Sequence, residues 1–180
     1  MARNGCVIGL MHSDKNDHRI AAIIALVLIV SAPVLAADDG GQHKAHLNHV
    51  AILLGTASEK QKDGHRESGG MIGIAYERRV AEKWSFAAAY EEEAFGDKTQ
   101  RHSIVFVGAR YELNDRWSVF GGPGVEFRKL GEREHALLRV GAAYGFDLGR
   151  GFSLSPELSI DIVAGGTRVY VFALALGYGF

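Results

Sequence analysis

Charged side chains recur two residues apart along this sequence, as in Glu77 and Arg79. Residues at this spacing lie on the same face of a β-strand. Carboxylates and guanidinium groups that share an enclosed face can neutralise one another as ion pairs, or they can line a path that prefers cations. The set that we assign to such a face is Glu77, Arg79, Glu91, Glu93, Arg110, Glu112, Glu126, Arg128, Arg139, Glu157 and Asp161.

A second kind of chemistry is nucleophilic catalysis, for which His102 and Ser103 are the candidates. Adjacent residues of a strand point to opposite faces, so these two cannot form a nucleophile and base pair with each other. A partner from a neighbouring strand would be needed. We therefore predict no catalytic residues and no enzyme, and keep lipid modification as the third hypothesis.

Metal binding is suggested by His43, His46 and His49. If this segment is a strand, His46 and His49 project to opposite faces and do not converge on one ion. A solvated leader explains the three histidines better, and we predict neither a metal site nor a cofactor.

The acidic run Glu91-Glu92-Glu93 is a second candidate for a divalent cation. Only Glu91 and Glu93 share a face. We expect them to pair with Arg110 or Arg79 across adjacent strands instead.

The elements that position these charges are segments in which bulky apolar and small or polar residues alternate. In the last segment a bulky side chain occupies every even position from Tyr170 to Phe180. Each segment is about ten residues long, the length that a tilted strand needs to cross an outer membrane. We predict eight strands, at residues 46–57, 70–80, 84–95, 102–113, 117–128, 136–148, 152–162 and 170–180.

The polar face of these segments combines glycine and alanine with charged residues, which is too small and too charged for a hydrophobic core. We therefore predict that the apolar face meets lipid and that the charged face lines a closed barrel, because no unpaired strand edge survives in hydrocarbon. A soluble secreted barrel is the alternative. Aromatic residues near strand ends suit the interfacial girdles of such a barrel; they are Trp84, Trp117, Tyr111, Phe152, Phe95 and Phe180.

The connections are of two kinds. Short turns are predicted at 81–83, 114–116 and 149–151, and more variable loops at 58–69, 96–101, 130–134 and 165–167. Short turns at one end and longer loops at the other match the periplasmic and external ends of a membrane barrel. Pro123 and Pro156 fall within strands, where the missing N–H predicts a bulge or weakened pairing.

The N-terminal region has the pattern of a secretory signal peptide. Lys15 and Arg19 precede an apolar run at 20–30, which is shorter than a membrane-spanning helix requires. We predict a cleavable signal peptide at 1–36, a polar periplasmic leader at 37–45 and a barrel domain at 46–180, with translation beginning at Met1 or Met11. An uncleaved anchor is the alternative.

Composition excludes several other classes. The formal net charge is −1 and only 3 of the 180 residues are proline, so neither a nucleic-acid partner nor a disordered tail is indicated. The one cysteine, Cys6, precedes the apolar run, so it cannot form a disulfide within the chain and is misplaced for a lipoprotein anchor.

With the eight alternating segments, the short turns and the ending Gly177-Tyr178-Gly179-Phe180, the sequence resembles the small bacterial outer-membrane barrels of the OmpA transmembrane-domain and OmpX type. The resemblance implies an all-β fold, an eight-stranded antiparallel up-and-down transmembrane β-barrel, in the outer membrane. It also implies outer-membrane lipid and lipopolysaccharide as surroundings, and recognition of Tyr178 and Phe180 by the barrel-assembly machinery.

The expected function follows from the width of the barrel. Eight strands enclose a space that their own side chains can fill. We therefore predict a structural or surface-interaction role with an ion-paired lumen, and a narrow or gated cation-preferring channel of porin-like character as the alternative.

Overall fold

The computed structural model describes residues 46–60, 64, 66–95, 100–128 and 134–180. The predicted signal peptide and leader, including Cys6 and His43, lie outside the described residues. No helix in the described part of the chain is long and apolar enough to cross a membrane.

Nine strands form within the described residues, and every neighbouring pair is antiparallel. Their bounds agree closely with the predicted segments. The strands are β1 Asn48–Lys60, β2 Arg66–Ala81, β3 Trp84–Phe95, β4 Gln100–Glu112, β5 Trp117–Arg128, β6 Glu134–Tyr144, β7 Phe146–Gly149, β8 Phe152–Val163 and β9 Arg168–Gly179.

The strands close into a barrel as predicted. Its wall has eight strand positions, which we call staves. Successive strands pair in order from β1 to β6 and from β7 to β9, β9 pairs with β1, and β6 pairs with β8. The short strand β7 continues β6 after an interruption at Gly145, so β6 and β7 together form one stave. This closure leaves no free sheet edge, which is the condition for a β-structure to span a bilayer.

Both strand prolines coincide with gaps in pairing, and neither causes a shift of register. Opposite Pro123, the β4–β5 ladder skips from the Phe106–Gly124 pair to the Ala109–Gly121 pair. The ladder between β8 and the β6–β7 stave is likewise interrupted next to Pro156. A proline has no N–H to donate, so the predicted weakening of pairing is confirmed at both positions.

The two ends of the barrel differ in their connections. At the turn end, which carries the chain ends of the barrel, residues 82–83, 113–116 and 150–151 join the strands. At the loop end, the strands leave residues 61–65, 96–99, 129–133 and 164–167 between them. The predicted loop at 58–69 is wrong in extent, because Ser58, Glu59 and Lys60 pair in register with Ser68, Glu67 and Arg66. Polar side chains at these positions hide the strand pattern.

Turn chemistry explains the tight connections of the turn end. The Asn114 side chain accepts hydrogen bonds from the backbone N–H groups of Arg116 and Trp117, at 3.0 and 2.9 Å. Gly149 and Gly151 have φ angles of 80° and 83°, which glycine adopts without steric cost. These residues therefore define the predicted turns at 114–116 and 149–151.

The outer surface of the barrel is apolar. Large aliphatic side chains alternate outward on each long strand, and Leu158 is 64% exposed. A contiguous apolar surface of this kind is costly in water and matches the hydrocarbon of a bilayer. The assignment of faces made from the sequence is therefore confirmed.

The barrel interior is less uniformly polar than predicted. A cluster of buried apolar side chains, which we call the apolar layer, packs among the charged groups, and its larger members are Leu53, Met71, Phe95, Ile104, Leu137, Val163, Val169 and Val171. Phe95 was predicted to lie in an interfacial girdle, but it faces inward and is 1% exposed. Its odd number on β3 places it on the same face as Glu91 and Glu93, which explains the error.

Candidate functional site

The centre of the lumen is occupied by one arginine held between two carboxylates. Arg139 on β6 donates to Asp161 on β8 through Nε at 2.6 Å and Nη2 at 2.7 Å. The same guanidinium donates to both oxygens of Glu91 on β3, with Nη2 to Oε2 at 2.8 Å. Two-pronged contacts of this kind are the strongest that arginine forms with carboxylates. We call Arg139, Glu91 and Asp161 the lumen clamp.

The lumen clamp is almost completely removed from solvent. The side chains of Arg139, Glu91 and Asp161 are 4%, 3% and 0% exposed. The Phe106 ring lies 5.3 Å from the Arg139 guanidinium carbon and covers it. The clamp therefore ties β3 on one side of the barrel to β6 and β8 on the other.

Glu93 lies beside the lumen clamp without joining it. It is buried at 1% exposure, and within the described residues its Oε1 atom has no hydrogen-bond partner. The expected pairing of Glu91 and Glu93 with Arg110 or Arg79 is wrong. The β3 residue level with Arg79 and Arg110 is Ser85, six residues from Glu91, a separation of roughly 20 Å along the strand.

A second ionic group lies toward the turn end. Arg110 contacts Glu77 at 3.2 Å and Glu157 at 2.7 Å. Arg79 pairs with Glu112 nearby, and these two side chains are about 30% exposed, at 28% and 31%. These side chains are partly exposed, so this group remains in contact with solvent, unlike the lumen clamp.

A third ionic group lies at the loop end and includes two residues that sequence reasoning missed. Arg128 pairs with Glu126 at 3.0 Å and with Glu59 at 3.3 Å. His102 also contacts Glu126, at 2.7 Å, and its ring lies at a tilted angle 5.0 Å from that of Phe95. Glu59 was assigned to the loop at 58–69, and His102 was considered only as a catalytic candidate. Extending the period-two pattern of β1 by two residues, and applying the pattern of β4 to its first predicted residue, would have placed both inside.

The structure places all eleven predicted lumen residues on the inward face and brings ten of them into direct ionic contacts. Glu93 is the exception. The sequence did not predict which charged residues form ion pairs, because Arg139 and Arg128 have partners on strands that are distant along the chain.

A vestibule of 830 Å³ opens at the turn end of the lumen. Glu77, Arg79 and Arg110 line it, together with His49 and Ser153. It ends below the lumen clamp, so the clamp and the apolar layer lie between this vestibule and the loop end.

Two histidine and serine arrangements bear on the enzyme hypothesis. His102 faces inward, whereas Ser103 faces outward and donates to Glu92 at 2.6 Å. These two residues therefore do not interact, as their adjacency predicted. His49 and Ser153 do meet, with Nε2 and Oγ 2.9 Å apart at the vestibule. Among the described residues no three His, Cys, Asp or Glu side chains are placed to hold a metal ion.

An aromatic girdle surrounds the turn end. Trp84 packs against Tyr111 at 4.8 Å between ring centroids, and Trp117 against Tyr144 at 5.0 Å. Arg116, in the adjoining turn, donates to the Tyr144 hydroxyl, and this hydrogen bond raises the pKa of the Arg116 guanidinium. Such rings suit the boundary between headgroups and hydrocarbon.

The C-terminal residues complete both the girdle and the closing seam. Tyr178 and Phe180 face outward, and their rings stack at 6.4 Å. The Phe180 N–H donates to the Asn48 carbonyl at 2.9 Å, and the Asn48 N–H donates to the Phe180 carbonyl at 3.1 Å. The last residue of the chain thus pairs with the start of β1.

Comparison with known proteins agrees with this architecture. Neisserial surface protein A (NspA) has a TM-score of 0.57 and 13% identity over 74% of this chain and 97% of its own. Ail, the attachment invasion locus protein of Yersinia pestis, has a TM-score of 0.51 and 18% identity over 74% of this chain and 99% of its own. OprG of Pseudomonas aeruginosa has a TM-score of 0.50 and 12% identity over 75% of this chain and 97% of its own.

No protein-family model matches the sequence, and no curated protein matches it. At the identities of the solved structures the likeness shows the fold. The chain is a small β-barrel of the outer-membrane type, as the resemblance of its strands and C-terminal residues implied. The predicted location in the bacterial outer membrane agrees with this fold and with the apolar outer surface.

Proposed function

We propose that this protein is a closed outer-membrane barrel with a structural or surface-interaction role, and that its lumen does not conduct ions at rest. The observation that carries this proposal is the lumen clamp. Arg139 spans the lumen between Glu91 and Asp161, and all of its charged contacts are buried. An ion crossing the barrel would have to separate these groups, which costs several kcal/mol when one buried charge loses its partner.

The apolar layer supports the same proposal. Ile104, Leu137 and Val163 are buried in the lumen, and apolar constrictions resist the entry of hydrated ions. Water can enter the vestibule from the turn end, but the clamp and this layer separate the vestibule from the other end.

Planar bilayer recording tests the closed lumen. Purified wild-type protein should give no discrete conductance steps, whereas Arg139→Ala, which removes the clamp, should give steps that favour cations because the remaining carboxylates line the path. Arg79→Ala is the matched control, because it removes the same charge at the open vestibule and should stay silent. Frequent, stable steps in the wild type would refute the closed lumen.

A gated cation-preferring channel is the second candidate, and one observation favours it. Glu93 is a buried carboxylate with an unpartnered oxygen beside the clamp, and carboxylates outnumber guanidinium groups on the inward face. Recording under a salt gradient distinguishes the two candidates. A channel should show gated openings with cation selectivity in the wild type, and Glu93→Gln should reduce that selectivity.

We further propose that the barrel is not an enzyme. His102 and Ser103 lie on opposite sides of the wall, and the contact between His49 and Ser153 is half-buried in the vestibule at the proposed periplasmic end, away from the external leaflet. Acyl-chain analysis of lipid A from cells with and without the protein should give identical profiles. If cells that express the wild type differ in this profile from cells without the protein, and cells that express Ser153→Ala do not, the result would instead support a lipid hydrolase.

For the surface-interaction role we propose the external end as the contact region. One structural neighbour, Ail, is known in complex with the heparin analogue sucrose octasulfate, at a TM-score of 0.52 and 17% identity. That compound is therefore a reasonable first probe here, with binding measured by calorimetry on the detergent-solubilised barrel. Outer-membrane lipid and the barrel-assembly machinery complete the proposed partners.

A further inference from the structure

Three basic side chains stand next to one another on the outer surface at the loop end of β9, β1 and β2. Lys60 pairs in register with Arg66 on one side and with Arg168 on the other. All three residues are exposed, and their even positions place them on the lipid-facing side of the wall. They form a row of positive charge across three adjacent strands.

Like charges directly opposite one another on neighbouring strands destabilise a sheet. Within the described part of the chain, none of Lys60, Arg66 and Arg168 makes an ion pair with a carboxylate. On the opposite wall the outward face near the loop end carries Glu92 and Glu134 as well as Arg101, so acidic and basic side chains are mixed there. The unbalanced row therefore calls for an anionic partner from outside the chain.

The surface beneath the row is graded from polar to apolar. Ser58 lies two residues below Lys60, and it accepts a hydrogen bond from Ser68 at 3.2 Å. Below this polar level the outward residues become aliphatic, with Leu54 in register with both Ile72 and Leu174. Headgroup contacts and acyl-chain contacts are thus arranged in sequence along the same three strands.

The height of the row fits the headgroup level of a bilayer. Ten residues separate Asn48 from Ser58 on β1. At a rise of about 3.3 Å per residue and a tilt of about 40°, this stretch spans roughly 25 Å across the membrane, the height of an outer-membrane apolar band. Lys60 lies two residues further out, in the region of the headgroups.

We propose that Lys60, Arg66 and Arg168 bind the phosphate groups of lipid A in the external leaflet, while its acyl chains pack on the aliphatic surface below. This inference rests on the proposed function, because it takes the loop end as the external end. The chemistry favours this lipid, since a bisphosphorylated glycolipid presents several negative charges and several acyl chains to one surface.

Binding of fluorescent bisphosphorylated lipid A to the refolded barrel in lipopolysaccharide-free detergent tests the proposal. Each charge contributes on the order of 1 kcal/mol, so a single Lys60→Gln, Arg66→Gln or Arg168→Gln change should weaken binding about fivefold and the triple change about 100-fold. Arg78→Gln is the matched control, because Arg78 lies on the same face of β2 at the opposite end. It should leave the affinity unchanged.

Four results would overturn the proposal. Equal loss of affinity in Arg78→Gln would show attraction to charge anywhere on the barrel, and equal binding of dephosphorylated lipid A would show that acyl chains alone are recognised. Stronger binding of sucrose octasulfate than of lipid A would assign the row to a soluble polyanion.

Boiled and unboiled gel samples of every variant show whether the barrel is folded, so a folded barrel without lipid binding refutes this inference and leaves the proposed function intact. An unfolded wild type refutes both.

Discussion

Replacing Arg139 by methionine is expected to be the most destabilising single change in the lumen. Methionine fills much of the same volume but leaves Glu91 and Asp161 buried without a counter-charge. Removing one partner of a buried ion pair costs about 3–5 kcal/mol, because the remaining charge is neither solvated nor paired. We expect a loss in this range in the free energy of unfolding, since both carboxylates lose two-pronged contacts.

Urea titration of the barrel in phospholipid vesicles measures this loss. Trp84 and Trp117 lie in the girdle, about half exposed at 49% and 48%, so their fluorescence should report the departure of the strands from the bilayer. The folded fraction on unboiled gels gives an independent curve. Coincidence of the two curves establishes that a single transition is being measured.

Two variants test whether the lost stability arises from the unpaired carboxylates of the lumen clamp. Arg79→Met removes an ion pair whose side chains are 28% and 31% exposed, and it should cost about 1 kcal/mol or less. A triple variant, Arg139→Met with Glu91→Gln and Asp161→Asn, removes the clamp charges together and should recover most of the stability lost by the single change. A loss in Arg139→Met no larger than that in Arg79→Met would refute the clamp as the centre of the lumen.

Three further predictions concern the seam, the end of the chain and the broken stave. Gly55→Val should lower the free energy of unfolding by about 1–3 kcal/mol in the same titration, because a Cβ at Gly55 would lie 2.8 Å from the Ala173 Cα across the closing seam. Phe180→Ala should slow the appearance of the folded band several-fold in pulse-labelled cells while leaving the final stability within about 1 kcal/mol, since it alters an exposed ring that the proposed assembly machinery would recognise. Amide hydrogens of β7 should exchange faster than those of β6 by mass spectrometry, because β7 has only four exposed residues beyond the interruption at Gly145.

Each of these three predictions would be contradicted by a specific result. Unchanged stability of Gly55→Val would mean that the seam can separate without cost. Normal assembly of Phe180→Ala would remove the terminal ring from the assembly signal. Equal exchange in β6 and β7 would show that the stave is continuous in solution.

The fold followed from the sequence because a transmembrane strand displays both of its faces in the residue pattern. Alternation from Tyr170 to Phe180 placed one set of side chains toward lipid, and the same rule placed Arg139 and Asp161 inside. These are local properties of single strands, so one sequence was sufficient to predict them.

The contacts in the lumen did not follow, because they depend on the stagger between strands. Arg139 meets Glu91, which is 48 residues away in the chain, only because the stagger of the strands from β3 to β6 brings both to the same level. Glu59 was missed because its polar neighbours hide the strand pattern where β1 leaves the hydrocarbon. His102 was missed because its position on β4 was not applied to it, although the alternation puts it on the face of Arg110 and Glu112. Phe95 was misplaced because its residue type was weighed above its position, since the alternation of β3 puts it on the same face as Glu91 and Glu93.

The central claim is that this chain forms a closed barrel in the outer membrane, and gel mobility of the outer-membrane fraction, boiled against unboiled, tests it most directly. We expect the protein in that fraction, and we expect the unboiled sample to migrate differently from the boiled one, because a closed β-barrel resists detergent at room temperature. Recovery from the soluble periplasm, with the same mobility before and after boiling, would contradict both the lipid-facing assignment of the apolar surface and the functions proposed from it.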